Sequence, residues 1–432
     1  MKNVFNIVLN FYYITIQVNL ILGSEFGIQF MRIFKLWEPL FMGVQVMKVL
    51  IIPCGIGMGH VSRCIALAGK LQEKGVEVLF ASYGSGYEML KEYKTYKAVK
   101  LPELKFYGDG GELDIRYTMK KSIDTPLVFI KSMFHESRVI RKFKPDIIVA
   151  DSHFSVPITA KVLGIPCILV TNELTFNFSD MNPDDKTVEY LENGIGRFIK
   201  DVSNLCKAIV VPDVERSIEV PTRLNGLIKY VGPFLKKHPE DLPCKLELRE
   251  KLGFKPEERI VLVTVGGSDF GRGLLEIVCR ASDMIDCDRI IMVTGPQIDA
   301  DFIPDSEKIV KKKFLKNMME WMAVSDVVVT LAGHTTAMEV TAMGIPNIIV
   351  PIENHPEQLK NALHVKSYGI SIVENIKKLD PQKIALDINQ IFGDEDMKRR
   401  AEIVREAFSK YSGTEDAVKL ILKYAEDWEQ PL

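Results

Sequence analysis

Leu331-Ala332-Gly333-His334-Thr335-Thr336-Ala337-Met338-Glu339 stands directly behind the apolar run Asp326-Val327-Val328-Val329-Thr330. The run reads as a buried parallel strand, and the glycine after it frees the backbone to turn into a helix. Thr335 and Thr336 bring hydroxyls to that helix start, where unpaired N–H groups and the positive dipole end make an anion site. Glu339 follows them by four and three residues, so it shares their face one turn in. A phosphate bound at Gly333, Thr335 and Thr336 would set this carboxylate beside the sugar that follows it. Gly344-Ile345-Pro346, the strand Asn347–Val350 and His355-Pro356-Glu357-Gln358 come next, and the last of these opens another helix at the same sheet edge.

The same rhythm runs through the chain from Met47 onward. Val49–Ile52, Val76–Ala81, Asp146–Ala150, Cys167–Thr171 and Ala208–Val211 are apolar runs separated by helix-length segments. It restarts at Arg259–Val265, Ile290–Thr294, Asp326–Thr330 and Asn347–Val350. Continuous rather than alternating apolar strands imply parallel sheets covered on both faces. Residues 230–239, rich in proline and charge, read as a connection. The expected architecture is therefore α/β: two doubly wound, Rossmann-like domains facing across a cleft, over 47–232 and 244–396, with a linker at 233–243 and C-terminal helices in 397–432. Residues 1–46 stand apart. No charge falls between Asn3 and Ser24, yet Asn6, Asn10, Gln17 and Asn19 interrupt the apolar stretch. It is readable as a membrane anchor, or as a start placed upstream of the domain's own Met47.

Composition narrows the classes. The chain has 432 residues, 47% hydrophobic and 26% charged, with a net charge of −2, which gives no basic field for nucleic acid. Seven cysteines without a Cys-x-x-Cys pair argue for free thiols in a reducing compartment, so a cytoplasmic protein is expected. Asp286-Cys287-Asp288 and Asp299-Ala300-Asp301 have the spelling of metal-binding acids. The first precedes a strand, at the sheet edge away from ligands, and the second lies in a polar loop, so no metal or other cofactor is expected.

Two more glycine-rich turns follow strands. Cys54-Gly55-Ile56-Gly57-Met58-Gly59-His60 lacks the acidic residue that a dinucleotide site would carry after its second strand, which ends Phe80-Ala81-Ser82-Tyr83-Gly84. His60, at the head of a helix and facing the cleft, is the residue suited to take a proton. Asp151 follows the strand Asp146–Ala150 and is the second choice as base or as support for His60, with His153 third. Asn172 and Glu173, after the next strand, are expected along the acceptor wall. In the second half, Val265-Gly266-Gly267-Ser268 lets backbone N–H groups approach a diphosphate.

Together these motifs resemble the two-domain GT-B glycosyltransferases from Met47 to about Tyr424. The likeness is strongest to family 28, which includes the N-acetylglucosaminyltransferase that forms lipid II. It rests on Gly-x-Gly-x-Gly-His at 55–60, Gly-Gly-Ser at 266–268 and Ala332-Gly333 with Glu339. Ala-x-Gly-x-Pro at 342–346 and Glu-Gln-x-x-Asn-Ala at 357–362 complete it. The resemblance implies inverting, metal-independent transfer of a sugar from a UDP-sugar. Glu339 would hold the ribose, Ser268 the phosphates, Glu357 and Gln358 the donor sugar, and the turn at Phe314-Leu315 the uracil edge. It also implies a lipid-linked acceptor and peripheral association with the inner face of the cell membrane. The apolar residues Phe129, Ile130, Met133 and Phe134 point the same way, although their spacing equally suits a core helix. Two departures stand out: Asp151-Ser152-His153 replaces a glycine pair, and Lys236 and Lys237 follow Gly232-Pro233-Phe234-Leu235 where the lipid II enzymes have an arginine. A nucleotide-sugar hydrolase or 2-epimerase on the same fold, or a non-catalytic nucleotide-sugar-binding subunit, are the alternatives to a transferase.

Overall fold

Every strand of the two main sheets runs parallel to its neighbours, as continuous apolar runs require. The computed structural model describes residues 46–428 except 57, 104–107, 110–111, 114–124, 176–185, 268 and 316. The apolar stretch between Asn3 and Ser24, Gly57 and Ser268 thus lie outside the described residues. Among those described, no helix is long and apolar enough to cross a membrane.

The first sheet takes β1 (Lys48–Pro53), β2 (Glu77–Ser82) and β3 (Lys97–Lys100). After the small hairpin β4 (Gly108–Asp109) and β5 (Glu112–Leu113) it continues with β6 (Ile147–Asp151), β7 (Cys167–Val170), β8 (Ala208–Val211) and β9 (Ile228–Tyr230). Its order is β3-β2-β1-β6-β7-β8-β9. The helices between are α1 (Gly59–Glu73), α2 (Gly84–Glu92), α3 (Thr125–Phe143), α4 (Val156–Val162) and α5 (Lys186–Ser203). Val49 to Ile52 of β1 are completely buried and alternate between two cores, one on each face. Burying each such side chain contributes about 1.5–3 kcal/mol, which is why the central strand is apolar throughout after its first residue, Lys48.

The second half repeats the plan. After α6 (Lys245–Leu252), the strands β10 (Ile260–Thr264), β11 (Arg289–Val293), β12 (Ile309–Lys312), β13 (Val327–Leu331), β14 (Asn347–Val350) and β15 (Ser371–Val373) pair in the order β12-β11-β10-β13-β14-β15. Helices α7 (Arg272–Ala281), α8 (Met318–Val324), α9 (His334–Ala342), α10 (Pro356–Lys366) and α11 (Pro381–Gly393) cover the sheet. In each sheet the strand order reverses beside the first strand, between β1 and β6 and between β10 and β13. Ligands of open parallel sheets bind outside the strand ends at that point.

The last two helices part company. In α12 (Glu395–Phe408), Ala401, Val404 and Phe408 pack with Ala332 and Ala337 of the second half. In α13 (Gly413–Glu426), Ala417, Val418, Ile421 and Ala425 join the core beneath β1. The chain therefore crosses between the halves twice. The two crossings are tied where the Thr414 hydroxyl donates to the Leu235 carbonyl at 3.0 Å.

Candidate active site at the two strand-order reversals

Pro53 ends β1 opposite Asp151, the last residue of β6, so the first reversal point is a carboxylate facing a glycine-rich turn. Gly55 sits there because its backbone lies against Tyr83. A Cβ would collide with the Tyr83 carbonyl, and Gly86 donates to the Gly55 carbonyl at 3.1 Å. The turn ends at the head of α1, which presents His60 and, three residues later on the same face, Arg63.

Asp151 is wholly buried and held from three sides. His60 Nδ1 lies 2.8 Å from Oδ1, Arg63 donates to both carboxylate oxygens, with Nε 2.6 Å from Oδ2, and the Cys64 thiol donates to Oδ2 at 3.3 Å. Burial alone would raise this carboxyl, but the Arg63 guanidinium and His60 outweigh it and hold it well below the usual carboxylate range. An ionised carboxylate only accepts hydrogen bonds, so the proton between it and His60 rides on Nδ1. In the neutral imidazole this leaves the lone pair on Nε2, the form a general base needs. Sequence reasoning missed Arg63, and its position one helical turn after His60 was the signal.

Arg63 also reaches the next strand end, where Nη1 donates to Asn172 Oδ1 at 3.0 Å. That fixes the amide with its Nδ2 outward, donating to Glu357 Oε1 of α10 at 3.0 Å. Beside it, Lys360 of α10 donates to Glu173 Oε1 at 3.1 Å and to the Thr175 carbonyl at 2.9 Å. Among the described residues, the other oxygen of Glu173 is buried without a hydrogen-bond partner. Burial and the nearby Glu357 charge push this carboxyl up to about 8, despite Lys360. Burial raises Glu357 too, but His355 and His60 bring it below the ordinary range.

His153 is not on the cleft. Ser152 takes a left-handed conformation, φ 48°, and the chain beyond it turns inward. His153 is 3% exposed, edge-on to Tyr83 with ring centroids 5.6 Å apart, and close to Ser155 and Glu136. Glu136 in turn accepts from Ser132, Ser155 and Thr159. This polar knot belongs to the interior of the first domain, and burial lowers the His153 imidazole.

The second reversal point is built differently. Gly333 is the N-cap of α9 and gives the helix no side-chain cap. Its first N–H groups and dipole end are therefore left for another partner. Glu339, one turn in, is 7% exposed, and among the described residues its carboxylate has no hydrogen bond or ion pair. Burial pushes it up to about 7, against the pull of Lys236. Lys236 itself donates to the Tyr93 hydroxyl at 3.3 Å and lies over that ring.

The two turns meet. Thr335 spends its hydroxyl on the Gly59 carbonyl at 3.1 Å, while Thr336 is half-buried beside it. Gly267 abuts the Met58 side chain, which leaves no room for a Cβ. Asp213, just after β8, accepts from His334 at 3.1 Å and faces His364 at 3.4 Å. Burial would raise Asp213, and the two histidines hold it well below the usual range. This bridge was not foreseen, because its members are 121 or more residues apart.

The Gln358 side-chain oxygen accepts the Ile352 N–H at 2.9 Å. The Leu315 side chain is buried in the core under β10, and the uracil contact expected of this turn is one its backbone would make. Of the four apolar residues expected on α3, Ile130 and Phe134 are exposed, at 50% and 67%, while Phe129 is half-buried and meets Phe198 of α5 edge-on, and Met133 is half-buried. Asp286 pairs with Arg259, and Asp288 accepts the Arg259 N–H, both away from the cleft.

Comparison with known proteins assigns the class. Residues 260–419 match the glycosyltransferase family 28 C-terminal domain, and residues 47–218 match glycosyl transferase family 1. An uncharacterized glycosyltransferase of Methanopyrus kandleri is 30% identical over 328 residues, 76% of this chain and 92% of that one. The chain is a glycosyltransferase of the family 28 type. The glycosyltransferase is also 27% identical, over 84% of its length and 90% of the other, to a protein of Fusobacterium nucleatum. That protein is named UDP-N-acetylglucosamine–N-acetylmuramyl-(pentapeptide) pyrophosphoryl-undecaprenol N-acetylglucosamine transferase. Solved structures with the same fold include Acinetobacter baumannii MurG, at a TM-score of 0.57 and 19% identity, covering 87% of this glycosyltransferase and 99% of that chain. A calicheamicin glycosyltransferase matches at 0.63 and 15%, over 89% and 99%. The fold is GT-B, and the enzyme transfers a sugar.

Proposed function

We propose that this glycosyltransferase moves a sugar from UDP to a hydroxyl of a lipid-linked acceptor, with inversion and without a metal ion, and that His60 is the base. The carrying observation is the His60–Asp151 pair, whose geometry leaves a lone pair on Nε2 at the strand-order reversal of the first domain. In the reaction, Nε2 takes the acceptor hydroxyl's proton. The oxygen forms a bond to the anomeric carbon as the bond from that carbon to the phosphate oxygen breaks, and UDP leaves. Attack opposite the leaving group inverts the anomeric centre. The uncapped start of α9, with Gly333, Thr335 and Thr336, stabilises the departing diphosphate, assisted by the turn at Gly267 and Ser268. Glu339 accepts from the ribose hydroxyls, Glu357 and Gln358 face the donor sugar, and Asn172 and Glu173 line the acceptor side.

A lipid carrier is favoured by the apolar side chains that α3 and α5 leave in water: Leu127, Ile130, Phe134, Tyr190 and Phe198. They would rest on the inner face of the cell membrane. The Fusobacterium relative's name also contains a pyrophosphoryl-undecaprenol. The test is a mass-spectrometric screen of UDP-sugars against membrane lipid extract, with and without a chelator. A glycosylated lipid formed equally in both supports the reading. Free sugar or an epimer formed without any lipid would replace it with the hydrolase or epimerase.

A further inference from the structure

Arg63 is 2% exposed, and all three of its guanidinium nitrogens are engaged. Two of them grip Asp151, with Nη2 also 3.0 Å from His60 Nδ1, and the third meets Asn172. We infer that Arg63 is a positioning residue that sets, from one point, the orientation of His60 in the first domain and of Glu357 in the second.

The chemistry of each contact fixes a direction. A guanidinium only donates, so the Asn172 oxygen must face it and the amide N–H₂ must face Glu357. That carboxylate, at the start of α10, is thereby aimed by a residue of the other half. On the other side, the planar fork fits the Asp151 carboxylate with two parallel bonds, which lysine could not reproduce. The carboxylate can then offer Oδ1 to His60 in one geometry. The charged groups that face His60 are Asp151, Arg63 and Glu357. Removing Arg63 leaves two anions and no cation there.

This inference rests on His60 being the base for its meaning in catalysis, but its test needs no substrate. In protein labelled with nitrogen-15, the His60 imidazole and the Asn172 side-chain amide are assigned by loss in His60→Ala and Asn172→Ala. The wild type should show His60 protonated at Nδ1 and the Asn172 amide shifted by its carboxylate partner. In Arg63→Gln, the His60 Nδ1–H signal should move as Asp151 loses the fork that holds it, and the Asn172 amide should move to the position of a free amide. Arg63→Lys keeps the charge but not the fork, so it should move both signals as well, and Asn172→Ala should leave the His60 spectrum as in the wild type. Wild-type His60 and Asn172 signals in Arg63→Gln would overturn the inference. If that variant does not fold, an unmoved Asn172 amide in Arg63→Lys would do so. Turnover of His60→Ala separately decides whether His60 is the base, so the two failures are distinguishable.

Discussion

The two strand-order reversals have the same topology and opposite electrostatics. At the first, Asp151 is fully buried and satisfied by His60, Arg63 and Cys64, so it stays ionised. At the second, Glu339 is nearly as buried yet, among the described residues, unpaired, and its carboxyl rises to about 7. A group that must hold one geometry through a reaction benefits from partners supplied by the protein itself. A group that must grip an incoming ligand is left short of partners, at a cost to the empty protein. In the proposed reading, the first domain carries the chemistry and the second binds the donor.

Breaking the first side should have the largest effect. Asp151→Asn offers Nδ1 of His60 an amide that can sit either way round and strips Arg63 of its counter-charge. Turnover should fall by about 10²–10⁴-fold, while the dissociation constant for UDP, read by calorimetry, stays close to the wild-type value. Normal turnover would erase the distinction between the two sites. On the second side, Glu339→Gln should weaken UDP by about 10-fold or more, the scale of a hydrogen bond to a charged group. Unchanged UDP affinity would remove Glu339 from the donor site.

The pH dependence sharpens the comparison. The ribose hydroxyls need an ionised acceptor, so wild-type UDP affinity should decline as pH falls through about 7, the value to which burial pushes Glu339. The slope should vanish in Glu339→Gln. The smallest effect is on the empty protein. A carboxyl raised in the folded state binds more protons there than in the unfolded chain, so its contribution to stability is lost as pH climbs from the ordinary carboxylate range towards 7. Glu339→Gln should therefore raise the melting temperature at pH 8 relative to wild type and change it little at pH 4, with a shift of a few °C at most. Asp151 has the opposite sign: its stabilisation is present at neutral pH and is lost only in strong acid, as its depressed carboxyl is protonated.

Much of this was legible in the chain. The central strands announce themselves because both faces are buried and every position but the last is apolar, as in Ile260–Thr264. The strands that escaped, such as Lys97–Lys100 and Ile309–Lys312, are edge strands with lysines in exposed or half-exposed positions. His60, Asp151 and Glu339 could be placed beside the strand-order reversals from the sequence because strand ends and helix starts fix where they lie. Arg63 was passed over because an arginine within a helix reads as surface, and only burial shows that it is not. His153 was misjudged because one left-handed residue, Ser152, reverses the direction a strand end would give it. Asp213 with His334 and Glu173 with Lys360 join distant parts of the chain, and no local pattern marks such pairs.

The central claim is that the His60–Asp151 pair does the chemistry and the second domain holds the donor. Its most direct test is the turnover of His60→Ala with the dissociation constant for UDP measured on the same sample. The account predicts a loss of turnover of about 10²-fold or more with UDP binding within about twofold of wild type. Full turnover in His60→Ala would contradict it.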